Sequence, residues 1–446
     1  MVPARRFARG FSVVLMAVAP AGCKAKHPPM MRTPALYSST TAANLDNITL
    51  EGRRSTTIEI LYATDRLYDT ARRPDPFPGL RQDYLRVGTA RVRLGPEEMT
   101  WPELAAASTS LERKSGDVRI SLETIEDLGP LVDTLTEFDV ESREADVDEP
   151  AARFAAMVNE RLAESTRKNV FVYVSPFKID FDLACFTTAE FHHFMGRNGV
   201  AIAYSWPTGT RFLDYFSATE NAYLTVRNLR IFLEYLARET DAERINLMTY
   251  SAGARVLSGA LQELALKYGH LGVSEARDRL RIGQVIYTGP DIDREAFVSH
   301  YDDGAGLLCE GLTIYTTPRD RALAMSQWIF GWQRLGSITV EDLTPRGIDY
   351  LERTTSTALV KVTNAEEALR GNAHAYFRES PWVSSDILLI LALALPPEER
   401  ALYREEGDPV WHFPDDYREQ VARLIERLKS EDAGRSTEAP VLRARP

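Results

Sequence analysis

Between residues 151 and 362, short apolar runs alternate with stretches of helical periodicity, and that rhythm leaves few folds open. Asn169–Val174 (NVFVYV) and Gly199–Tyr204 (GVAIAY) are nearly continuous apolar runs, the pattern of strands buried on both faces. Arg244–Met248, Ile282–Tyr287, Leu312–Tyr315 and Ala358–Val362 read as further strands. Helices are predicted over 151–166, 182–197 and 218–239, from Ala252 onward, and over 320–330. In the third, Val226, Leu229, Leu233 and Leu236 recur at spacings of 3, 4 and 3, which places them on one face. Val256, Leu257, Ala260, Leu261 and Leu264 do the same in the next. Strands alternating with helices imply a mostly parallel central sheet covered on both faces, an α/β fold.

The region before it reads differently. Thr57–Ala63 and Leu85–Leu94 alternate like strands, 117–125 is a third candidate, and no helix-length periodicity precedes Pro150. Residues 56–150 are therefore expected to form a strand-rich extension packed on the main domain, 151–429. Residues 430–446 read as a disordered tail, and no internal repeat is visible.

The first residues read as an address. Arg5, Arg6 and Arg9 precede an apolar run, Phe11–Ala19, that is too short to span a bilayer and suits a signal peptide. Pro20-Ala21-Gly22-Cys23 resembles a bacterial lipobox, in which Cys23 becomes the acylated first residue of the mature chain. Arg5-Arg6 also resembles a twin-arginine signal. Residues 1–23 are thus read as a signal peptide with lipobox, and 24–55, rich in Pro, Ser, Thr and Ala, as a flexible tether with a reach of roughly 30 Å. The expected location is the bacterial cell envelope, lipid-anchored and facing the periplasm, or secreted.

Composition narrows the partners. Lys+Arg is 53 and Asp+Glu is 64, a net charge of −11, with no dense basic block, so nucleic-acid binding is not expected. Three cysteines make no disulfide framework. Once Cys23 is set aside, Cys185 and Cys309 sit in apolar stretches and read as buried small hydrophobes.

The chemistry concentrates at 245–255, INLMTYSAGAR. A strand runs into Thr249-Tyr250-Ser251-Ala252-Gly253 and a helix follows, the setting of a nucleophile elbow that exposes a serine at a strand's end. A hydroxyl is a weak nucleophile unless a base takes its proton, and the base needs an orienting acid. In this arrangement the chain order is serine, acid, histidine. Asp320 lies just past the carboxyl end of a predicted strand, where ligand crevices of open parallel sheets form. It also suits the N-cap of the helix that follows. Asp291 and Asp293, after the preceding strand, are the alternative acids. His374, in the loop Gly371–Phe377, follows Asp320 in order. His27 falls in the tether, and His192, His193, His270 and His300 precede the acid. His412 lies in a Trp/Pro-rich segment near the end.

Taken together, these pieces resemble a bacterial α/β-hydrolase family of unknown function, often secreted or lipid-anchored. The residues carrying the resemblance are Tyr62-Ala63-Thr64-Asp65-Arg66, Ser205-Trp206-Pro207-Thr208, the elbow, Pro290–Asp293, Tyr315–Ser326 with Arg334-Leu335-Gly336, and His374-Ala375-Tyr376-Phe377. The similarity spans roughly 57–415. It implies an α/β-hydrolase fold and a Ser251–Asp320–His374 hydrolase that cleaves an ester or similar acyl bond of a small molecule or lipid. The backbone amides of Ala252 and Phe177 would be the oxyanion donors.

Two departures touch that centre. The family carries His-Gly, an aromatic residue and Asn after the strand leading to the oxyanion loop, whereas this chain has Ser175-Pro176-Phe177-Lys178. Pro fixes φ and donates no N–H. The elbow has Thr249 in place of a small residue. These changes leave open a catalytically weak or inactive hydrolase-fold binding or scaffold protein of the envelope, and a peptidase on the same triad. The histidines lack the H-E-x-x-H spacing of a helical zinc site and no cysteine pair has zinc-ligand spacing, so no metal or other cofactor is expected. Oligomeric state is not encoded in any feature of the sequence.

Overall fold

A computed structural model of the chain describes residues 27–37, 45–72, 75–136, 148–209 and 214–433. Cys23, the stretch read as a signal peptide and residues 434–446 lie outside the described residues. Ten strands make one sheet: β1 (Thr57–Arg66), β2 (Arg81–Leu94), β3 (Ile120–Pro130), β4 (Asn169–Val174), β5 (Val200–Ser205), β6 (Arg244–Tyr250), β7 (Ile282–Thr288), β8 (Gly311–Thr316), β9 (Thr357–Lys361) and β10 (Val410–His412). Their order is β10-β9-β8-β7-β6-β4-β5-β1-β2-β3. From β10 through β1 every pairing is parallel; β2 and β3 add an antiparallel edge.

The helices are α1 (Leu45–Ile48), α2 (Trp101–Thr109), α3 (Asp148–Ala163), α4 (Phe181–Phe194), α5 (Asp214–Glu239), α6 (Gly253–Tyr268), α7 (Val273–Leu280), α8 (Arg294–Asp302), α9 (Arg321–Phe330), α10 (Pro345–Arg353), α11 (Tyr376–Glu379), α12 (Pro381–Leu393) and α13 (Tyr417–Ala433). They cover both faces because alternate residues of a strand point to opposite sides. Val172, Leu247, Val285, Ile314 and Leu359 pack with α3, α5 and α6. Tyr173, Met248, Ile286, Tyr315 and Val360 pack with α4, α12 and α13. Helix α12 is almost entirely buried, its Ser384, Ser385 and Asp386 included.

The N-terminal extension is continuous with this sheet. β1 pairs in parallel with β5, with Thr64 opposite Ser205, so its carboxyl end reaches the same edge as those of β4–β10.

Three expectations need correction. The segment read as a flexible tether is packed where it is described: Leu36 and Tyr37 are buried against α12 and α13, and Met30, Met31 and Leu45 are buried in the same core. Its backbone is bonded too, with the amide of Met30 donating to Val118 O at 2.9 Å, that of Arg32 to Arg378 O at 3.2 Å, and that of Met31 to the Glu190 carboxylate. A Pro/Ser/Thr/Ala composition marks a linker only where apolar residues among it find no surface, and here they find one. Second, a helix does precede Pro150. In α2 Thr100 and Glu103 close a capping box and Pro102 sits in the first turn, so the start signal is capping chemistry rather than a 3.6-residue stripe. Third, 430–433 is the last turn of α13.

Candidate active site

At the end of β6 the backbone turns sharply. Ser251 has φ +53°, a left-handed conformation that costs a non-glycine residue of order 1 kcal/mol and persists only where surrounding bonds enforce it. Here the Ser251 amide donates to Thr288 O (3.1 Å), and its carbonyl accepts from the amides of Ala254 (3.1 Å) and Asp291 (3.0 Å). Gly253 is required by close approach: a Cβ there would lie 2.4 Å from Thr249 Oγ1 and 2.6 Å from Ser175 O. Thr249 is fully buried and its hydroxyl donates to Val174 O at 3.2 Å. Its extra atoms are thus absorbed by β4. The Ala252 amide sits at the head of α6, where N–H groups have no intrahelical acceptor and the helix dipole is positive.

His374 joins this serine to Asp320. Its Nε2 lies 2.9 Å from Ser251 Oγ and its Nδ1 2.6 Å from Asp320 Oδ2. The acid serves two partners with its two oxygens: Oδ1 accepts from the amides of Ala322 (2.9 Å) and Leu323 (3.0 Å), capping α9. The side chain is fully buried, and the cap holds it in one orientation. On the histidine side, the loop before it turns through positive φ at Gly371 and Ala373, and Asn372 Oδ1 accepts from the His374 amide (3.2 Å). The Tyr250 ring packs 4.7 Å from the imidazole.

Tyr376 ties that loop to the sheet. Its hydroxyl accepts from the Gly289 amide (2.5 Å) and donates to Tyr315 O (2.9 Å), bridging the ends of β7 and β8. Tyr376→Phe leaves both backbone groups buried without a partner. It is expected to lower the unfolding free energy by about 1–3 kcal/mol, measured by urea denaturation; an unchanged midpoint would deny the hydroxyl this role.

The alternative acids are engaged elsewhere. Asp291 accepts from Ser326 Oγ (2.6 Å) and pairs with Arg255 (3.3 Å) and Arg334 (3.4 Å), while Asp293 caps α8 through the Ala296 amide (2.9 Å). Neither reaches His374, because the β7 turn directs both away from it and toward α6, α8 and α9. His192 and His193 are buried in α4, and burial holds both imidazoles well below the ordinary value. Cys185 and Cys309 are buried free thiols, with desolvation pushing Cys309 up to about 12.

The segment after β4 lies against the elbow, as the Ser175 O approach to Gly253 shows. Pro176 is accommodated there, and Lys178 takes φ +68° with its side chain exposed. What holds this segment went unread in the sequence. Arg66, fully buried at the carboxyl end of β1, donates to Ile179 O (2.8 Å), Ser205 Oγ (2.9 Å) and Thr208 Oγ1 (3.2 Å). Trp206 Nε1 donates to Ser175 O (2.6 Å). The Thr64-Asp65-Arg66 and Ser205–Thr208 motifs are therefore a clamp on the segment that carries Phe177. A buried arginine next to a strand's carboxyl end was the available signal, since such a cation needs several carbonyl or hydroxyl partners.

Asp65 braces the clamp from behind. One carboxylate oxygen accepts from Thr225 Oγ1 (2.7 Å) and Asn228 Nδ2 (3.3 Å), the other is buried without a partner, and burial pushes the group up to about 6. Folded Asp65 thus holds its proton more tightly than the unfolded chain. Stability from this group is fully present below the ordinary carboxylate range and is lost as pH rises through about 6, a change of about 3 kcal/mol. Asp65→Asn removes the titration. The variant's stability relative to the parent should be greatest at neutral pH and fall by roughly that amount toward pH ~4, read from denaturation at a series of pH values. A pH-independent difference would refute burial as the cause.

No curated protein matches the chain. Residues 150–391, more than half of the sequence, match the family described as alpha/beta hydrolase of unknown function (DUF900). That span holds the elbow, Asp320, His374 and the strands that carry them, and the chain belongs to this α/β-hydrolase family.

Proposed function

We propose that the protein is a serine hydrolase that cleaves a carboxylic ester through an acyl-enzyme. The observation that carries this reading is the placement of one imidazole 2.9 Å from Ser251 Oγ and 2.6 Å from Asp320. Ser251 Oγ attacks the carbonyl carbon as its proton passes to His374 Nε2. The oxyanion is received by the amides of Ala252 and Phe177. The intermediate collapses, the C–O bond breaks, and His374 returns the proton to the departing alcohol. Water, deprotonated by the same imidazole, then releases the acid and regenerates Ser251. Asp320 keeps His374 in the tautomer that presents a lone pair at Nε2, and takes no proton itself. Pro176 leaves the Phe177 N–H in place, so the departure from the family loop does not remove a donor.

The second reading, motivated by Ser175-Pro176-Phe177-Lys178 standing where the family carries a different loop, is a scaffold that keeps the fold and has lost turnover. A fluorophosphonate probe separates the two. Labelling of the parent, lost in Ser251→Ala and His374→Gln, is the result expected of an activated serine. Absence of labelling, with no turnover across short- and long-acyl esters, supports the scaffold. A peptidase would turn over peptide amides as well as esters.

We further propose that Cys23 carries a lipid anchor that holds the protein at the cell envelope. Metabolic incorporation of an alkynyl palmitate, abolished in Cys23→Ser, is the expected outcome.

A further inference from the structure

The excursion from Asp320 to Gly336 carries an exposed apolar surface at the edge of the site. Its two ends are tied to the residues around Ser251. Asp320 binds His374. The returning segment is pinned by Gly336 N to Pro290 O (3.0 Å), Leu335 N to Ile292 O (3.0 Å) and Thr317 N to Gly336 O (2.9 Å), next to the Asp291 amide that donates to Ser251 O. Phe330, at the far end of α9, packs its ring 5.2 Å from the guanidinium of Arg255, one turn beyond the nucleophile. Between these ties the helix turns apolar side chains outward: Met325 is 45% exposed, Trp328 78% and Trp332 66%. Met325 and Trp328 share a face, and Trp332 follows just past the Gly331 cap. Trp206 and Trp382, in contrast, are buried.

Charge is distributed unusually over the same stretch. Residues 321–340 contain no Asp or Glu, although the chain has a net charge of −11. Arg319 and Arg321, both exposed, flank the aromatic surface. Tryptophan favours the headgroup level of a bilayer, and each cation near an anionic membrane surface contributes roughly 1 kcal/mol. Most of an acidic protein's surface would be repelled by such a membrane, so a stretch with exposed aromatic side chains and no carboxylate of its own is the part able to approach it.

We propose that α9 and the turn after it dock on an anionic lipid surface, so that the ester reaching Ser251 is drawn from a lipid aggregate. The substrate-class part of this inference rests on the hydrolase reading above; the docking part does not.

The test uses the full chain with Cys23→Ser, so that no acyl chain contributes. Any binding by its N-terminal apolar run is common to all variants. Vesicles of phosphatidylcholine, with and without phosphatidylglycerol, are mixed with this parent, with a Trp328→Ala/Trp332→Ala double variant and with an Arg319→Gln/Arg321→Gln double variant. Binding is read by co-sedimentation and by quenching of tryptophan emission with brominated lipid. The parent should bind anionic vesicles, and the tryptophan variant at least about tenfold more weakly. The arginine variant should lose severalfold on anionic vesicles alone, with the parent's binding weakening as salt rises. Unfolding midpoints should stay close to the parent's, since the replaced residues are exposed. Equal vesicle binding by the parent and the tryptophan variant overturns the proposal. Failure of the parent to bind at all does so too, and would leave the aromatic face to a protein partner. Ser251→Ala separates the two readings. If it and the parent bind vesicles while neither turns over any ester, the hydrolase reading fails and docking stands; turnover of a soluble ester without vesicle binding is the reverse.

Discussion

Ser251→Ala is expected to lower the turnover of an ester by roughly 10⁴- to 10⁶-fold, with the residue left over coming from binding and oxyanion contacts alone. The loss should be chemical rather than structural. The strained φ of +53° at this position is imposed by backbone bonds to Thr288, Ala254 and Asp291, and alanine keeps all of them. Only the bond from Oγ to His374 Nε2 is removed. A partly exposed hydroxyl lost in this way should change stability by no more than about 1 kcal/mol. The two measurements together decide the matter: turnover within tenfold of the parent, in a protein with an unchanged unfolding midpoint, would remove Ser251 from the mechanism.

Asp320→Asn should lower turnover by about 10³- to 10⁴-fold while leaving the fold nearly untouched. The reason lies in the division of labour between the two carboxylate oxygens. Asparagine can still accept the Ala322 and Leu323 amides through its carbonyl oxygen, and Asn caps helices as well as Asp. Its other terminus is then an NH₂ group facing His374 Nδ1. A donor there forces Nδ1 to accept, which moves the ring proton to Nε2 and takes away the lone pair that must receive the Ser251 proton. Asp320→Ala loses cap and partner together, and should add a destabilisation of about 1 kcal/mol to the kinetic loss. If Asp320→Asn retained turnover while Asp320→Ala lost stability, Asp320 would be a helix cap and nothing more.

The two positions weighed for Asp320 in the sequence, beside the histidine and at a helix N-cap, are thus compatible in the folded chain. A residue just past a parallel strand is also the residue just before a helix, so one carboxylate meets both requirements, one per oxygen. Sequence reasoning put Asp320 first but left Asp291 open, for a different reason. Both follow strands, both precede helices and both precede His374 in the chain. They differ only in where the side chain points, and the ion pairs of Asp291 with Arg255 and Arg334 join segments far apart in sequence.

The N-terminal region shows the same limit. Its strands were legible from alternation, but not that β1 would lie in parallel beside β5 and carry Arg66 to the edge where the elbow sits. The packed segment around Met30 to Tyr37 looked like a linker because its partners, α4, α12 and α13, are supplied by the rest of the chain. Helix α12 left no periodic stripe because it is buried all round.

By itself the sequence determined the alternation of buried strands and amphipathic helices, the tight turn at Ser251 and the order of serine, acid and histidine. These are local properties, set by side-chain period and turn chemistry over a few residues. The tertiary structure decided between Asp320 and the alternatives Asp291 and Asp293 as the contact of His374, what clamps the segment after β4, and where the aromatic helix α9 stands relative to Ser251. Those depend on strand order, which brings together groups 54 and 123 residues apart, and no short-range pattern encodes a distance between them.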